Sequence, residues 1–382
     1  MKRRLAGVDI LRGIVMLLMV IDHVRYFLSD AHFDPTDLAR TTVPLFVTRW
    51  VTHFCAPLFM LLSGVGASLS LQGGRSRAEV SRFLFTRGAW LILLELTVAR
   101  FSWQFNLDYG YTGLLVFWAL GWSMIALAGL IRLPRTTVLA IVLLTILGHN
   151  ALDGVAPGSW GSLDWLWTIL HVPGGVSPGG GLFFFALYSL VPWFAVMGAG
   201  YLLGPLVAAP DGGPALRRLG LGMIALFIVL RAINLYGEPW HWTPQASPVM
   251  TVLSFLNTTK YPPSLLFLLM TIGPALALLP SLDRWKGRMA DFIRTFGEVP
   301  LFFWLLHVPL IHLVALGLSR LQSGAVDPWL YSNPPVRPLE GYGFGLGVVY
   351  LVIVGVIAAL YPACRWYAGY KARSTAAWVR YL

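Results

Sequence analysis

Long apolar stretches recur along the chain, each about 20 residues long and bounded by Pro, Gly or charged residues. An apolar stretch of this length crosses a bilayer as one α-helix. The pattern therefore predicts an all-α, polytopic integral membrane protein with about ten transmembrane helices in one bundle, although about nine or eleven also fit. No soluble domain or repeat interrupts it, so we expect a single membrane domain over residues 1–382. The predicted spans are 8–28, 47–71, 83–101, 112–131, 136–151, 181–204, 218–236, 262–280, 299–320 and 341–363.

The first apolar stretch, Val8 to Phe27, nonetheless carries the ionisable residues Asp9, Arg12, Asp22 and His23. Ionisable groups are costly inside a bilayer, so they indicate a functional site or a buried pair. At about 100° per residue, Asp9, Arg12 and His23 share one helix face, whereas Asp22 points away, toward another helix. A rise of about 1.5 Å per residue separates Arg12 from His23 by about 16 Å. One helix thus places a cation near one membrane surface and an imidazole near the other.

Composition supports a membrane protein and changes the meaning of the net charge. The chain is 57% hydrophobic and 12% charged, with a mean hydropathy of +0.69, whereas ordinary soluble domains are about 25% charged. In a membrane protein, the net charge of +11 indicates basic cytoplasmic loops, so we expect a lipid bilayer and no nucleic acid as partner. With a cytoplasmic N-terminus, most of the 28 Lys and Arg residues fall on one side, which predicts that both ends are cytoplasmic.

The predicted external side has the longer connections, at 152–180, 237–261 and 321–340, which are rich in Gly, Pro and Trp. Their tryptophans fit an aromatic belt at the lipid interface. They also fit stacking platforms for a polar acceptor such as a sugar. Both interpretations stay open at this point.

Three histidines are placed to converge inside the bundle: His23 near the end of the first helix, His53 at the start of the second, and His307 within a late helix. An imidazole with a pKa near neutrality suits proton transfer. Metal sites usually show short, ordered ligand spacings, and these histidines do not, so we expect no metal. For the remaining buried histidines we expect a structural role, with the ring bonded to a backbone carbonyl or a carboxylate; these are His149, His171, His241 and His312.

Asp9 and Arg12 are three residues apart, so a local ion pair at the membrane surface is one interpretation. Arg12 holding an anionic group of a cytosolic ligand is equally compatible, because arginine suits bidentate phosphate contacts. Glu95 and Arg231 lie in the predicted external half, where each fits either a pair between helices or the wall of a cavity.

Lys260 and Tyr261 directly precede two prolines that open a predicted helix. Irregular backbone at membrane depth occurs where it is buried in protein or lines a cavity. We therefore expect Lys260 to reach into an external cavity, with a lysine snorkelling to the interface as the alternative.

Four segments resemble motifs of the transmembrane acyltransferases, the group that includes acyltransferase family three and the heparan-alpha-glucosaminide N-acetyltransferase-like proteins. The first helix of that group is similar to VDILRGIVMLLMVIDH, and its second helix to HFCAPLFMLLSGVGASL. A bacterial branch of the group resembles KYPPSLLFLLMTIGPAL, and a late histidine helix resembles VPLFFWLLHVPLIH. The four motifs occur in the right order and span most of the chain.

The resemblance implies an acyl-CoA-dependent O- or N-acyltransferase of ten or eleven helices in a bacterial cytoplasmic membrane. The donor it implies is cytosolic acyl-CoA, with acetyl-CoA expected, and the acceptor a hydroxyl or amine of a glycan or glycolipid on the other side. His23 matches the catalytic histidine of acyltransferase family three, and Arg12 matches its first-helix arginine. In the glucosaminide enzyme the acetyl-accepting histidine lies in the following loop, where this chain has His32, and an Asn stands near the position of His23.

We therefore expect catalysis by His23, with His32, His307 and His53 as further candidates, and donor binding by Arg12, Asp9, Arg87 and Arg288. For the acceptor we expect Lys260, Tyr261, Glu95 and Arg231.

Two other functions stay compatible with the sequence. The first is a secondary transporter of a small anion or metabolite that uses the intramembrane Arg, Asp and His side chains. The second is a flippase-like protein without catalysis. Acyl-CoA binding distinguishes the enzyme from both. The sequence does not decide whether the protein forms a homo-oligomer. It also does not decide between direct transfer and an acyl-histidine intermediate.

Overall fold

The computed structural model describes residues 6–337 and 341–382, most of them helical. Short 3-10 turns join several helices, at Val51–Phe54 and His149–Leu152 among other places, and a π-helical turn at Glu95–Ala99 links α4 to α5. In the first half of the chain the helices are α1 (Ala6–Leu28), α2 (Val43–Trp50), α3 (Cys55–Gln72), α4 (Arg77–Leu94), α5 (Arg100–Gln104), α6 (Val116–Leu130) and α7 (Arg135–Gly148).

The second half contains two of the longest helices, α14 with 24 residues and α15 with 28. The remaining helices, from residue 164 onward, are α8 (Asp164–Leu170), α9 (Leu190–Ala208), α10 (Gly213–Ile233), α11 (Pro248–Leu256), α12 (Leu265–Leu282), α13 (Arg288–Glu298), α14 (Pro300–Ser323) and α15 (Leu346–Arg373).

Six helical stretches in the described residues are long and apolar enough to cross a membrane, which confirms a multi-pass membrane protein but not the predicted count of about ten. α1 and α10 have the length of a span, with 23 and 21 residues, yet both contain several charged side chains. The six stretches are Val43–Gln72, Arg135–Leu152, Leu190–Ala208, Leu265–Leu282, Pro300–Ser323 and Leu346–Arg373.

A small sheet corrects the prediction of an all-α protein. β1 (Tyr111–Leu114) pairs in parallel with β3 (Leu182–Ala186), and β3 pairs antiparallel with β2 (Gly174–Gly179). The helices predicted at 112–131 and 181–204 therefore begin late, because a strand occupies the first residues of each segment. An apolar run of four or five residues has no periodicity that separates a strand from a helix, which explains the error.

Most of the helices share one continuous apolar core. Its fully buried side chains come from both halves of the chain, for example Val15, Phe27, Trp193, Phe267 and Phe303. α3 packs extensively against α9, α10 against α12, α4 against α6 and α1 against α13. The bundle thus holds α1, with its ionisable face, among helices from distant parts of the sequence.

α1 and α13 cross unusually closely, because each contributes a glycine at the contact. A Cβ atom added to Gly13 would lie 2.0 Å from the carbonyl oxygen of Ile293. One added to Gly297 would lie 1.9 Å from the carbonyl oxygen of Asp9. Small residues allow this kind of close backbone approach between membrane helices.

We predict that Gly297→Ala lowers the stability of the protein, because the new methyl group forces α1 and α13 apart. Overpacking of this kind costs about 1–3 kcal/mol. Thermal unfolding of the purified protein in detergent measures the effect. Gly317→Ala is the matched control, since a Cβ atom added to Gly317 on α14 would have nothing within 4 Å, so this position should tolerate the change. Equal melting temperatures for the two variants would show that the crossing is not tight.

Candidate active site

His23, near the end of α1, is hydrogen-bonded ring to ring with His307 of α14. The distance from His23 Nδ1 to His307 Nε2 is 2.8 Å, and His307 Nδ1 lies 3.1 Å from the carbonyl oxygen of Phe303. A carbonyl oxygen only accepts, so His307 carries its proton on Nδ1 and accepts at Nε2. His23 then donates from Nδ1, which leaves the lone pair of a neutral imidazole on its Nε2. This network places a potential proton acceptor at the end of α1.

A cavity of about 330 Å³, here called the histidine cavity, includes His23 in its wall. The His23 ring stacks on His307 with centroids 4.9 Å apart and meets the edge of Trp103 at the same distance. Other polar residues lining the cavity are Asp22, Tyr26, Arg49, Glu95, Arg100, Gln104, Tyr111, Tyr188 and Tyr261.

Asp22 lies beside His23 in this wall and is held by two arginines. Its carboxylate accepts from Arg25 at 2.7 Å and from Arg49 at 2.8 Å. Arg49 belongs to α2, which confirms the prediction that Asp22 meets another helix. The two cations compensate the half-buried carboxylate, and the bond to Arg49 joins α1 to α2 next to the imidazole pair.

A second cavity, of about 310 Å³, is here called the cationic cavity because its wall contains Arg12, Arg87 and Lys371. Glu298 is the carboxylate among the residues that line it, and most of the others are apolar. The side chains of Arg12 and Lys371 come from opposite ends of the sequence, so the start of α1 and the end of α15 lie on the same side of the bundle.

Arg12 Nη1 donates to Asp9 Oδ1 at 3.0 Å and to the carbonyl oxygen of Gly297 at 3.1 Å. The local ion pair, one of the two interpretations that the spacing left open, is therefore present. Arg12 nevertheless stays in the cavity wall, so the pair does not exclude contact with an anionic ligand.

The two cavities share Val116 and Trp304 in their walls, so they adjoin inside the bundle. Val116 is the first residue of α6, and Glu95 fixes that helix end by accepting from the backbone N–H groups of Phe117 at 2.7 Å and Trp118 at 3.0 Å. The indole N–H of Trp304 is buried and has no hydrogen-bond partner among the residues described. Arg12 lines one of these adjoining cavities and His23 lines the other, and this succession of two cavities is here called the path.

Three of the four predicted catalytic histidines, His32, His53 and His307, lie outside the lining of the histidine cavity, and His307 contacts it through the His23 ring. His32, in the loop after α1, contacts the carbonyl oxygen of Tyr342 through Nε2 at 3.1 Å. His53 is buried, and its ring centroid is 5.4 Å from that of Phe267. Of the four candidates, His23 and His307 are therefore the two that the structure brings together.

Tyr261 lines the histidine cavity, whereas the ammonium group of Lys260 lies 5.2 Å from the centre of the Tyr261 ring. Lys260 is 7% exposed, which excludes the alternative of a lysine snorkelling to the surface. The Tyr261 hydroxyl donates to the hydroxyl of Tyr188 at 3.3 Å, which joins the segment before α12 to the segment after β3. Lys260 thus sits directly behind the cavity wall.

Arg231 of α10 is buried away from both cavities and holds the following loop in place. Its guanidinium donates to four backbone carbonyl groups, those of Phe255, Trp240, Ser254 and Asn257. Glu238 anchors the same loop by accepting from the Thr259 backbone and the Ser264 hydroxyl, and burial raises the pKa of Glu238.

Arg288 is exposed on α13 and is absent from the lining of the cationic cavity, whereas Arg87 lies in it. Sequence reasoning missed Lys371, Trp304 and Tyr188. Trp304 stands three residues before His307, so helical spacing places the two on one face and could have indicated it. No comparable signal pointed to Lys371 or Tyr188, whose positions depend on tertiary packing.

One group in the described residues has ligand types and spacing that could hold a metal ion, although the sequence predicted no metal site. It consists of His149, Asp153 and His171 and lies outside the lining of both cavities. This group is therefore separate from the path that joins Arg12 to His23.

Residues 4–220 match the family model described as heparan-alpha-glucosaminide N-acetyltransferase, catalytic. The match covers more than half of the chain, includes α1 and Glu95, and confirms the resemblance seen in the sequence motifs. No curated protein matches the chain significantly.

We predict that Glu95→Ala destabilises the protein more than Glu95→Gln does. Alanine leaves two buried backbone N–H groups of α6 without an acceptor, at about 1–3 kcal/mol each, whereas the glutamine oxygen can still accept from them. Thermal unfolding in detergent measures both variants. If they unfold at the same temperature, the carboxylate does not fix the start of α6.

Proposed function

The chain belongs to the family of the heparan-alpha-glucosaminide N-acetyltransferase catalytic domain, and we propose that it is an integral membrane acyltransferase. The proposed donor is acyl-CoA, with acetyl-CoA favoured by the family, and it binds at the cationic cavity. The proposed acceptor is a hydroxyl or amine of a glycan or glycolipid in the histidine cavity. The observation that supports this best is the meeting of the two cavities at Val116 and Trp304.

Donor binding is proposed at Arg12, Arg87 and Lys371, with Asp9 orienting Arg12 through their ion pair. The phosphates of the CoA nucleotide carry concentrated negative charge, which cations in a partly dehydrated wall bind well. Arg288, which points to solvent, is left out of this set. The rest of the wall is mostly apolar and suits the uncharged pantetheine arm.

The length of α1 suits transfer across the bundle. Arg12 and His23 are about 16 Å apart along the helix, which is comparable with an extended pantetheine arm. A nucleotide held at Arg12 can therefore place its thioester past Val116 and Trp304, close to the His23 ring. Only the arm and the acyl group enter the bundle, while the nucleotide stays at the surface.

The chemistry needs few groups, because a thioester is already activated. His23 Nε2 accepts the proton of the acceptor hydroxyl or amine as its oxygen or nitrogen attacks the thioester carbonyl. The tetrahedral oxyanion needs a hydrogen-bond donor, for which we propose the indole N–H of Trp304 at the junction. Collapse breaks the carbon–sulfur bond, and the CoA thiolate takes the proton from His23. His307 is a positioning residue that keeps the proton of His23 on Nδ1.

The acceptor side fits a sugar. Tyr111, Phe185, Tyr188 and Tyr261 line the histidine cavity and offer ring faces for stacking, while Glu95 and Arg100 offer polar contacts. Lys260, behind Tyr261, adds positive charge to this wall. These side chains support a glycan-type acceptor without selecting one.

For the orientation we propose that the cationic cavity faces the cytoplasm of a bacterial cell and the histidine cavity the outside. The excess of Lys and Arg in the loops beside the chain termini supports this through the positive-inside rule. CoA is cytosolic, so the same orientation also brings the donor to the cavity that holds Arg12.

The path between the cavities also suits the alternative function, a transporter of a small anion or metabolite. A transporter would move its substrate unchanged, whereas the proposed enzyme consumes acyl-CoA and releases free CoA. Release of CoA thiol by the purified protein, with glucosamine as the test acceptor, separates the two.

We predict that His23→Ala reduces acyl transfer by about 10² to 10⁴-fold, the usual contribution of a general base, and leaves the protein folded. Release of CoA thiol from acetyl-CoA gives the rate, and thermal unfolding reports the fold. His32→Ala is the control, because His32 lies outside the histidine cavity and should keep most of the activity. Normal turnover in His23→Ala, with loss in His32→Ala, would assign catalysis to the loop histidine instead.

We predict that Arg12→Gln weakens acyl-CoA binding by about 10-fold, or about 1.4 kcal/mol, because a phosphate contact is lost. The double variant Asp9→Asn with Arg12→Gln should be equally weak if Arg12 contacts phosphate. If Arg12 only compensates Asp9, the double variant should bind normally, since it leaves no buried carboxylate without its cation. Binding titrations of acetyl-CoA to the wild type, both single variants and the double variant decide between these outcomes.

A further inference from the structure

Three potential metal ligands meet at the end of α7, outside both cavities. His149 lies in the 3-10 turn that follows α7, Asp153 comes directly after that turn, and His171 follows α8. Their ligand atoms all lie within 4.8 Å of one another, and His171 Nε2 is 3.5 Å from Asp153 Oδ1. His149 and His171 are 22 residues apart in sequence, yet their imidazoles and the carboxylate of Asp153 lie close together in the fold.

The two imidazoles are buried without the hydrogen bonds that buried polar groups normally have. His149 is 3% exposed and His171 is 1% exposed. None of their four ring nitrogens has a hydrogen-bond partner among the residues described. The prediction that His149 bonds to a carbonyl or carboxylate is therefore wrong. A neutral imidazole has one ring nitrogen with a free lone pair. In each of these two rings that lone pair is available to bind a metal ion.

The carboxylate of the group is held in place by a second layer of contacts. Asp153 Oδ2 accepts from the side-chain amide of Asn150 at 2.8 Å, and the amide oxygen of Asn150 accepts from the backbone N–H of Leu265 at 2.8 Å. This leaves Oδ1 directed at His171. Outer contacts that orient ligand side chains in this way are typical of metal sites.

We propose that His149, Asp153 and His171 bind a divalent transition-metal ion of the zinc class. Each histidine contributes one ring nitrogen and Asp153 contributes Oδ1. Imidazole together with carboxylate suits zinc, whereas calcium and magnesium prefer oxygen ligands throughout.

The geometry needs only a small adjustment to hold zinc. Zinc lies about 2.0–2.2 Å from nitrogen and oxygen ligands, so tetrahedral neighbours are about 3.3–3.6 Å apart. The separation of 3.5 Å between His171 and Asp153 already fits, and the ring nitrogen of His149, within 4.8 Å of the other two ligand atoms, would move closer to them on binding. Three protein ligands leave the fourth position to a water molecule.

The role that follows from this placement is structural. The ion joins the end of α7 to the end of α8, and β2 begins at Gly174, shortly after His171. β2 pairs with β3, where Phe185 lines the histidine cavity, and the register places Gly175 opposite it. Metal at this point therefore fixes the segment that supports one wall of the cavity.

Metal content tests the proposal without any assay of activity. The full-length protein is purified with a tag that contains no histidine, stripped with a chelator, titrated with Zn²⁺ and analysed by elemental mass spectrometry. We expect about one zinc per chain in the wild type. His149→Gln, His171→Gln and Asp153→Asn should each weaken zinc binding by about 10-fold or more, the range seen when ligands or their supporting contacts are changed.

His241→Gln is the matched control, because His241 is an exposed histidine in another loop. It should bind zinc like the wild type. Substitution of Co²⁺ for Zn²⁺ should give visible absorption bands in the wild type and in His241→Gln but not in His171→Gln.

A second measurement covers the case in which the ligand variants fail to fold. Zinc added to the stripped wild type should raise its melting temperature by about 2 °C or more, since an ion that binds only the folded state stabilises it, while Mg²⁺ should have no effect. The proposal is overturned if the wild type holds no zinc above the level of His171→Gln, if His241→Gln loses as much zinc as the ligand variants, or if zinc and magnesium act alike.

Discussion

The hydrogen bond between the rings of His23 and His307 is the contact on which the geometry of the candidate site depends. Water is scarce inside a membrane bundle, so each imidazole needs a protein partner, and the carbonyl oxygen of Phe303 completes the chain. The bond fixes the end of α1 against α14. At the other end, Arg12 donates to the carbonyl oxygen of Gly297, and the close glycine crossing holds α1 against α13. Because α1 is fixed at both ends, the spacing between its cation and its imidazole is fixed as well.

Periodicity and charge predicted the features that depend on one helix alone. The apolar runs located most of the long helices, and the spacing of Asp9 and Arg12 predicted their ion pair. The three-stranded sheet was missed, because its strands are short apolar or glycine-rich segments whose pairing joins residues far apart in sequence. Arg231 illustrates the same limit at the level of a side chain. Its position in the predicted external half left a pair between helices and a cavity wall open, whereas its guanidinium donates to four loop carbonyl groups instead.

The candidate site draws on both halves of the chain. The family match ends at residue 220, yet His307, Trp304, Tyr261 and Lys371 all lie beyond it and line the cavities or orient His23. The first half supplies the proton acceptor, two of the cations and Glu95. Neither half contains a complete site, so α1 acquires its proposed role only when α14 and α15 pack around it.

In the proposed function, the thioester of the donor reacts at the junction of the two cavities. Most of the cationic cavity is lined by apolar side chains such as Met16, Met19 and Leu120, which favour the acyl arm over water. In this proposal the charged nucleotide stays with Arg12, Arg87 and Lys371 at the mouth of the cationic cavity. At the far end of the path stand Val116, held in place through Glu95, and Trp304, three residues before His307. In the proposed reaction, a carbonyl group at this junction would use the indole N–H of Trp304 as its hydrogen-bond donor and the neutral His23 ring as the base, the two groups that acyl transfer from a thioester requires.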